Sequence, residues 1–143
     1  MPLLIQQVIA KLEDVRPNAY GDCVPALRAA LEGFDALASR ELAMPAMFAV
    51  IERYPEADLG SPGPLIHEIE AIEGYGLQLE ASLRRSPTAL TCWMVNRILN
   101  SVQDAAKRQH WAEALYRVAN DLSVSEAARV EAKRFLEHQS RRA

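Results

Sequence analysis

Several groups of residues carry side chains able to do chemistry, and spacing decides what each group can do. His67-Glu68 opens like the His-Glu-x-x-His helix of zinc proteases, where two imidazoles one turn apart hold the metal. The place of the second histidine is taken by Ala71. His110 and His138 each lack a second imidazole or thiol three or four residues away, so no helical metal site is expected. His67 and Glu70 can instead form a local polar pair along one helix face. The segment Gly60-Ser61-Pro62-Gly63-Pro64 invites comparison with phosphate-cradling loops, but it lacks the Gly-Lys-Ser/Thr ending. Its two prolines also remove amide donors that a phosphate would need, so a compact structural or partner-contacting turn is expected. Cys92 sits beside Trp93 and Met94, a packed setting that raises a thiol's pKa and opposes nucleophilic use. Ser61, Ser82 and Ser86 fall in no strand-turn-helix context of the kind that exposes a nucleophile. These residues predict no catalytic, cofactor or metal site, and hence a binding protein and not an enzyme.

A different constellation, Thr88, Thr91, Asn96, Arg97 and Asn100, lies within an otherwise apolar helical segment that also holds Trp93. A buried polar group without a partner costs about 1–3 kcal/mol, so these side chains must be satisfied. The turn at 60–64 and the acids Glu68, Glu70 and Glu73 are the partners expected here, which would make this helix a fastener that keeps the turn rigid.

The elements that must position these residues are all helical by spacing. Leu4, Ile5, Val8, Ile9, Leu12 and Val15 form a first apolar stripe before Pro17 and Gly21. Asp22 suits an N-cap with Pro25 in the first turn, followed by Leu27, Ala30, Leu31, Phe34 and Leu37, with Gly33 weakening that helix slightly. Met44, Met47, Phe48, Ile51 and Tyr54 give a third face that ends at Tyr54-Pro55. Pro64 opens a helix with Leu65, Ile66, Ile69 and Ile72, stopped by Gly74-Tyr75-Gly76, and a fifth covers 77–85. Residues 88 to about 106 are apolar on nearly every side and predict a central helix. A helix over 110–120 turns Trp111, Leu115 and Val118 inward. Ser123-Val124-Ser125-Glu126 reads as a capping box before a last helix facing inward with Ala127, Val130, Phe135 and Leu136. No segment alternates with the period of a strand. One all-α domain over residues 1–143 is expected, its antiparallel hairpins stacked as a HEAT-like α-solenoid or a compact multi-helix domain.

Composition agrees with a folded, self-sufficient chain: 143 residues, 50% hydrophobic and 24% charged. Cys23 and Cys92 show no paired spacing, so buried, reduced thiols are expected. The N-terminal segment lacks the basic start and apolar core of a secretion signal, and no run approaches the ~20 apolar residues of a membrane span, which points to the cytoplasm. The net charge of -3 is unevenly distributed. Residues 1–83 carry five Lys/Arg and 13 Asp/Glu, a balance of -8, whereas residues 84–143 carry 11 and six, a balance of +5. An acidic end of this kind speeds encounter with a basic protein. The cations of the second half are interspersed with acids and have no aromatic stacking platform, so neither nucleic acid nor membrane is the expected partner.

The stretch Leu59-Gly60-Ser61-Pro62-Gly63-Pro64-Leu65-Ile66-His67, with Ser86-Pro87-Thr88 and Thr91-Cys92-Trp93-Met94-Val95-Asn96-Arg97-Ile98-Leu99-Asn100, resembles small bacterial immunity proteins. Such proteins accompany contact-dependent growth inhibition and other polymorphic toxin systems. By these words the resemblance covers about residues 55–105, and by size and helical pattern the whole chain. It implies a HEAT-like cytoplasmic protein, a monomer or weak dimer, that binds and neutralises one cognate toxin domain, many of which are nucleases with basic surroundings. The general alternative is a helical adaptor or repeat module. Contact residues vary within such proteins, so the interface is read from charge: Glu52, Glu56, Asp58, Glu70 and Glu73 flank the turn, with Tyr54 and Tyr75 as apolar contacts near the centre.

Overall fold

Apolar spacing has become helix along most of the chain. The computed structural model describes residues 3–142, without the side chain of Leu3; Met1, Pro2 and Ala143, and with them the start of the N-terminal segment read above for a targeting signal, lie outside the described residues. Eight α-helices are present there: α1 (Leu3–Glu13), α2 (Val24–Ala30), α3 (Met44–Arg53), α4 (Gly63–Glu70), α5 (Tyr75–Arg85), α6 (Ala89–Ser101), α7 (Ala105–Ala119) and α8 (Glu126–Arg142). Among the described residues there is no strand, and sheet-like pairing is confined to an isolated bridge between Asp22 and Asp58. The protein is all-α. No helix is long and apolar enough to cross a membrane. By packing, the residues gather into two compact units, Met1–Gln78 and Leu79–Ala143.

In the first unit, Ile5, Val8, Leu12 and Val15 are buried, as their spacing requires, while Leu4 is left 56% exposed at the edge of the stripe. α1 packs on α2 and α3, and α4 packs on α2 and α3. Met47, Phe48 and Ile51 of α3 and Leu65, Ile66 and Ile69 of α4 are fully buried. The second helix is shorter than expected: it stops at Ala30, and Gly33 takes φ 75°, so Phe34 enters the core from a 3-10 turn over Phe34–Ala36. Glycine has no Cβ to oppose the left-handed conformation, so its position ended the helix where a simple weakening was expected. At the end of α1, Arg53 Nη2 donates to the carbonyls of Leu12 at 3.1 Å and Val15 at 3.5 Å, tying the end of α3 to the carbonyls that close α1.

In the second unit, α6, α7 and α8 pack mutually. Cys92 Sγ reaches the Ala128 carbonyl near the starts of α6 and α8, and Arg142 reaches Asn100 near their ends, so these two helices run in the same direction. Arg108, near the start of α7, bonds carbonyls at the end of α6 and Gln139 near the end of α8, so α7 runs opposite to both. Three expectations are corrected here. α6 ends at Ser101, short of residue 106, because Val102 is extended and Asp104 caps α7, its side chain accepting from the Lys107 amide at 2.9 Å. α8 is capped by Ser125, whose Oγ accepts from the Ala128 amide, while Ser123 is drawn instead to Asp121 by both its amide and its hydroxyl. Finally, α8 buries Ala128, Ala132, Phe135 and Gln139, whereas Ala127 is exposed and Val130 is 52% exposed. Two alanines on the inner face permit close approach to α6, and that turns the larger Val130 outward.

Candidate functional site

The turn after α3 is assembled from short-range constraints. Asp58 Oδ1 accepts from the Gly60 amide at 2.9 Å, and Gly60 takes φ 96°. A Cβ on Gly60 would stand 2.3 Å from Gly63 Cα, so only glycine permits the chain to fold back on itself here. The Ser61-Pro62 bond is cis. A second turn is held against this one: the Asp58 amide donates to the Gly21 carbonyl and the Cys23 amide to the Asp58 carbonyl, each at 2.8 Å. Asn18 closes that second turn, its Oδ1 accepting from the amides of Tyr20 at 2.9 Å and Asp22 at 3.1 Å. Beside the first turn, Arg28, Leu31, Pro62, Pro64, His67 and Glu68 border an open pocket of about 480 Å³. Glu68 Oε2 is buried without a hydrogen-bond partner among the described residues.

All seven residues expected at an interface, Glu52, Tyr54, Glu56, Asp58, Glu70, Glu73 and Tyr75, fall in the first unit. Glu56, Asp58 and Glu73 are exposed; Glu52, Tyr54, Glu70 and Tyr75 are half-buried. Tyr54 is not a bare apolar contact. Its hydroxyl accepts from Arg16 Nη1 at 3.3 Å and the Arg53 guanidinium lies 5.1 Å from its ring centre. The hydrogen bond from Arg16, followed by that from Arg53, holds its phenol below the usual range. Sequence reading missed Tyr20, which is 93% exposed at the tip of the Asn18 turn. No apolar period marks it, and only the Asn-x-x-Gly-Asp spacing signals a turn there.

Thr88, Thr91, Asn96 and Asn100 have hydrogen-bond partners other than those expected. The expected partners of Asn96 and Asn100 are replaced by one from α8: Gln139 Nε2 donates to Asn96 Oδ1 at 2.7 Å and to Asn100 Oδ1 at 2.8 Å. Arg142 also donates to Asn100 Oδ1, at 2.6 Å, and Arg108 Nη2 to Gln139 Oε1 at 3.1 Å. Thr88 and Thr91 satisfy each other in a reciprocal cap at the start of α6, each side chain accepting from the other's amide. The Arg97 guanidinium lies 4.9 Å from the Trp93 ring centre. The physical reason for the correction is register: Gln139 sits on the inner face of α8, where a long amide reaches both asparagines, a match that sequence spacing within α6 cannot disclose.

Cys23 and Cys92 are both buried and free. Burial, followed by the charge of Glu131, pushes the Cys92 thiol up to about 12, which opposes thiolate chemistry. Cys23 is raised by burial, with Asp22 and Asp58 adding to it and Arg53 opposing. His110 contacts Glu80 and meets the Trp111 ring edge-on, while His67 is exposed. Among the described residues, no three His, Cys, Asp or Glu side chains converge as metal ligands would.

No family model, curated protein or solved structure matches this chain.

Proposed function

We propose that this all-α chain is an immunity-type binding protein, which acts in the bacterial cytoplasm by covering a basic functional surface of one cognate toxin domain. The reading is carried by the rigid pair of turns joined through Asp58 in an acid-rich unit. The first unit holds 12 Asp/Glu against five Lys/Arg, a balance of -7. A surface fixed before encounter loses little entropy on binding, and an acidic one draws a basic partner at long range. Exposed Glu56 adjoins this framework in the chain and exposed Glu73 follows the end of α4 in the same unit, while Asp58 fixes the framework from within. The basic surroundings of a nuclease site suit such a surface, so occlusion of a nuclease is the mechanism favoured.

The test is titration calorimetry with the purified toxin domain encoded directly upstream. Glu56→Lys with Glu73→Lys should weaken binding at least tenfold, and the loss should shrink at high salt, without lowering the thermal midpoint. Unchanged affinity would remove these acids from the interface. Absence of binding by the unaltered protein would overturn the reading itself.

A further inference from the structure

The geometry points to Tyr20 as the aromatic anchor of the interface, with a Lys- or Arg-bearing protein surface as its counterpart; this rests on the binding reading above and deepens it. Tyr20 is 93% exposed, so its ring adds almost nothing to the core. Its backbone is nevertheless strongly fixed. Asn18 Oδ1 accepts from the Tyr20 amide, the Gly21 amide donates to the Asn18 carbonyl at 3.0 Å, and the Asn18 amide donates to the Asp22 carbonyl at 3.0 Å. Gly21 and Cys23 on the far side are pinned to Asp58. A large ring held out on a closed turn binds with little further loss of backbone freedom. Aromatic residues of this kind are enriched among the few that carry binding energy.

The chemistry of the partner follows from the neighbours. Asp22 follows Tyr20 by two residues and Asp58 is joined to it across the backbone bridge, so two acids belong to the same pair of turns, in a unit whose charge balance is -7. A tyrosine face attracts a guanidinium or ammonium group, and the acidic balance of this unit draws such a group toward it at long range. Tyr54, the aromatic first expected in this role, already has Arg16 on its hydroxyl and Arg53 against its ring. Tyr20 therefore takes the place assigned to Tyr54 at the centre of the contact.

The experiment compares Tyr20→Ala and Tyr20→Phe with the unaltered chain, using the toxin domain encoded directly upstream as the probe. Tyr20→Ala should raise Kd at least about 30-fold, the size of a 2 kcal/mol hot spot, and leave the thermal midpoint unchanged. Tyr20→Phe keeps the ring face and should stay within about fivefold on the same scale. A Tyr20→Ala Kd within threefold of the unaltered chain overturns this inference and leaves the binding reading standing. Failure of the unaltered chain to bind overturns both.

Discussion

Gln139 Nε2 donates to Asn96 Oδ1 at 2.7 Å, joining two amides that are each less than a tenth exposed on facing helices. Around that pair, Arg108 and Arg142 supply guanidinium donors and Asn100 a second amide acceptor, so the end of α6, the start of α7 and the end of α8 share one polar cluster. Each member answers another, which is the condition under which a polar group is tolerated in a helical core. Truncating one member removes a bond and strands its neighbour.

Gln139→Ala should lower stability by about 1–3 kcal/mol in urea denaturation, because Asn96 is left buried without its donor. Asn100→Ala should cost less, since Asn100 is exposed and water can replace its contacts. Equal, near-zero losses would show that the cluster contributes nothing.

Arg108 and Arg53 use the same device in separate units. Arg108 Nη1 donates to the Leu99 and Val102 carbonyls, and Arg53 Nη2 to those of Leu12 and Val15; both pairs are three residues apart at a helix end. Arg108→Ala should destabilise by about 1.5–3 kcal/mol, as for hydrogen bonds to a charged group, and Arg53→Ala by less, because Arg53 is exposed and water replaces part of its contacts. Arg108→Lys should restore only part of the loss, because one ammonium cannot reproduce the fork that spans the carbonyls and Gln139. Full rescue by lysine in thermal melts would refute that geometry.

Gly60→Ala and Gly33→Ala test two kinds of glycine. Both sites have positive φ and should lose about 1–2 kcal/mol to left-handed strain. Only Gly60 also meets backbone, with Gly63 Cα 2.3 Å from the added carbon, so its melt should fall further. The reverse order would contradict the described turn.

The Cys92 thiol gives a pH dependence with a defined sign. Its folded pKa of about 12 exceeds the ordinary thiol value of 9.0. Between these values the unfolded chain binds fewer protons, so stability is complete below pH 9 and declines as pH rises toward 12. Urea midpoints should therefore fall above pH 9 and fall less steeply in Cys92→Ala. An identical pH slope in both proteins would show that Cys92 is not the group responsible.

How much of this was legible in residues alone differs from element to element. The buried stripe of α1, the Tyr54-Pro55 stop of α3 and the inward Trp111, Leu115 and Val118 of α7 follow from local spacing. The face of α8 does not. Val130 outweighs Ala128 and Ala132 in any apolar pattern, yet close packing on α6 favours the small residues. Asn96 and Asn100 announced that partners must exist, but Gln139 and Arg108 are distant in sequence and look like ordinary polar helix residues until the helices are set side by side. Tyr20 escaped for a simpler reason: an exposed ring leaves no periodic trace.

The central claim is that this chain recognises and silences a toxin domain. Expression of the toxin domain encoded directly upstream, with and without this chain, measures that most directly through cell survival and co-purification. The account predicts survival and a stable complex only when the two are produced together; killing that this chain fails to prevent, with no complex recovered, would contradict it.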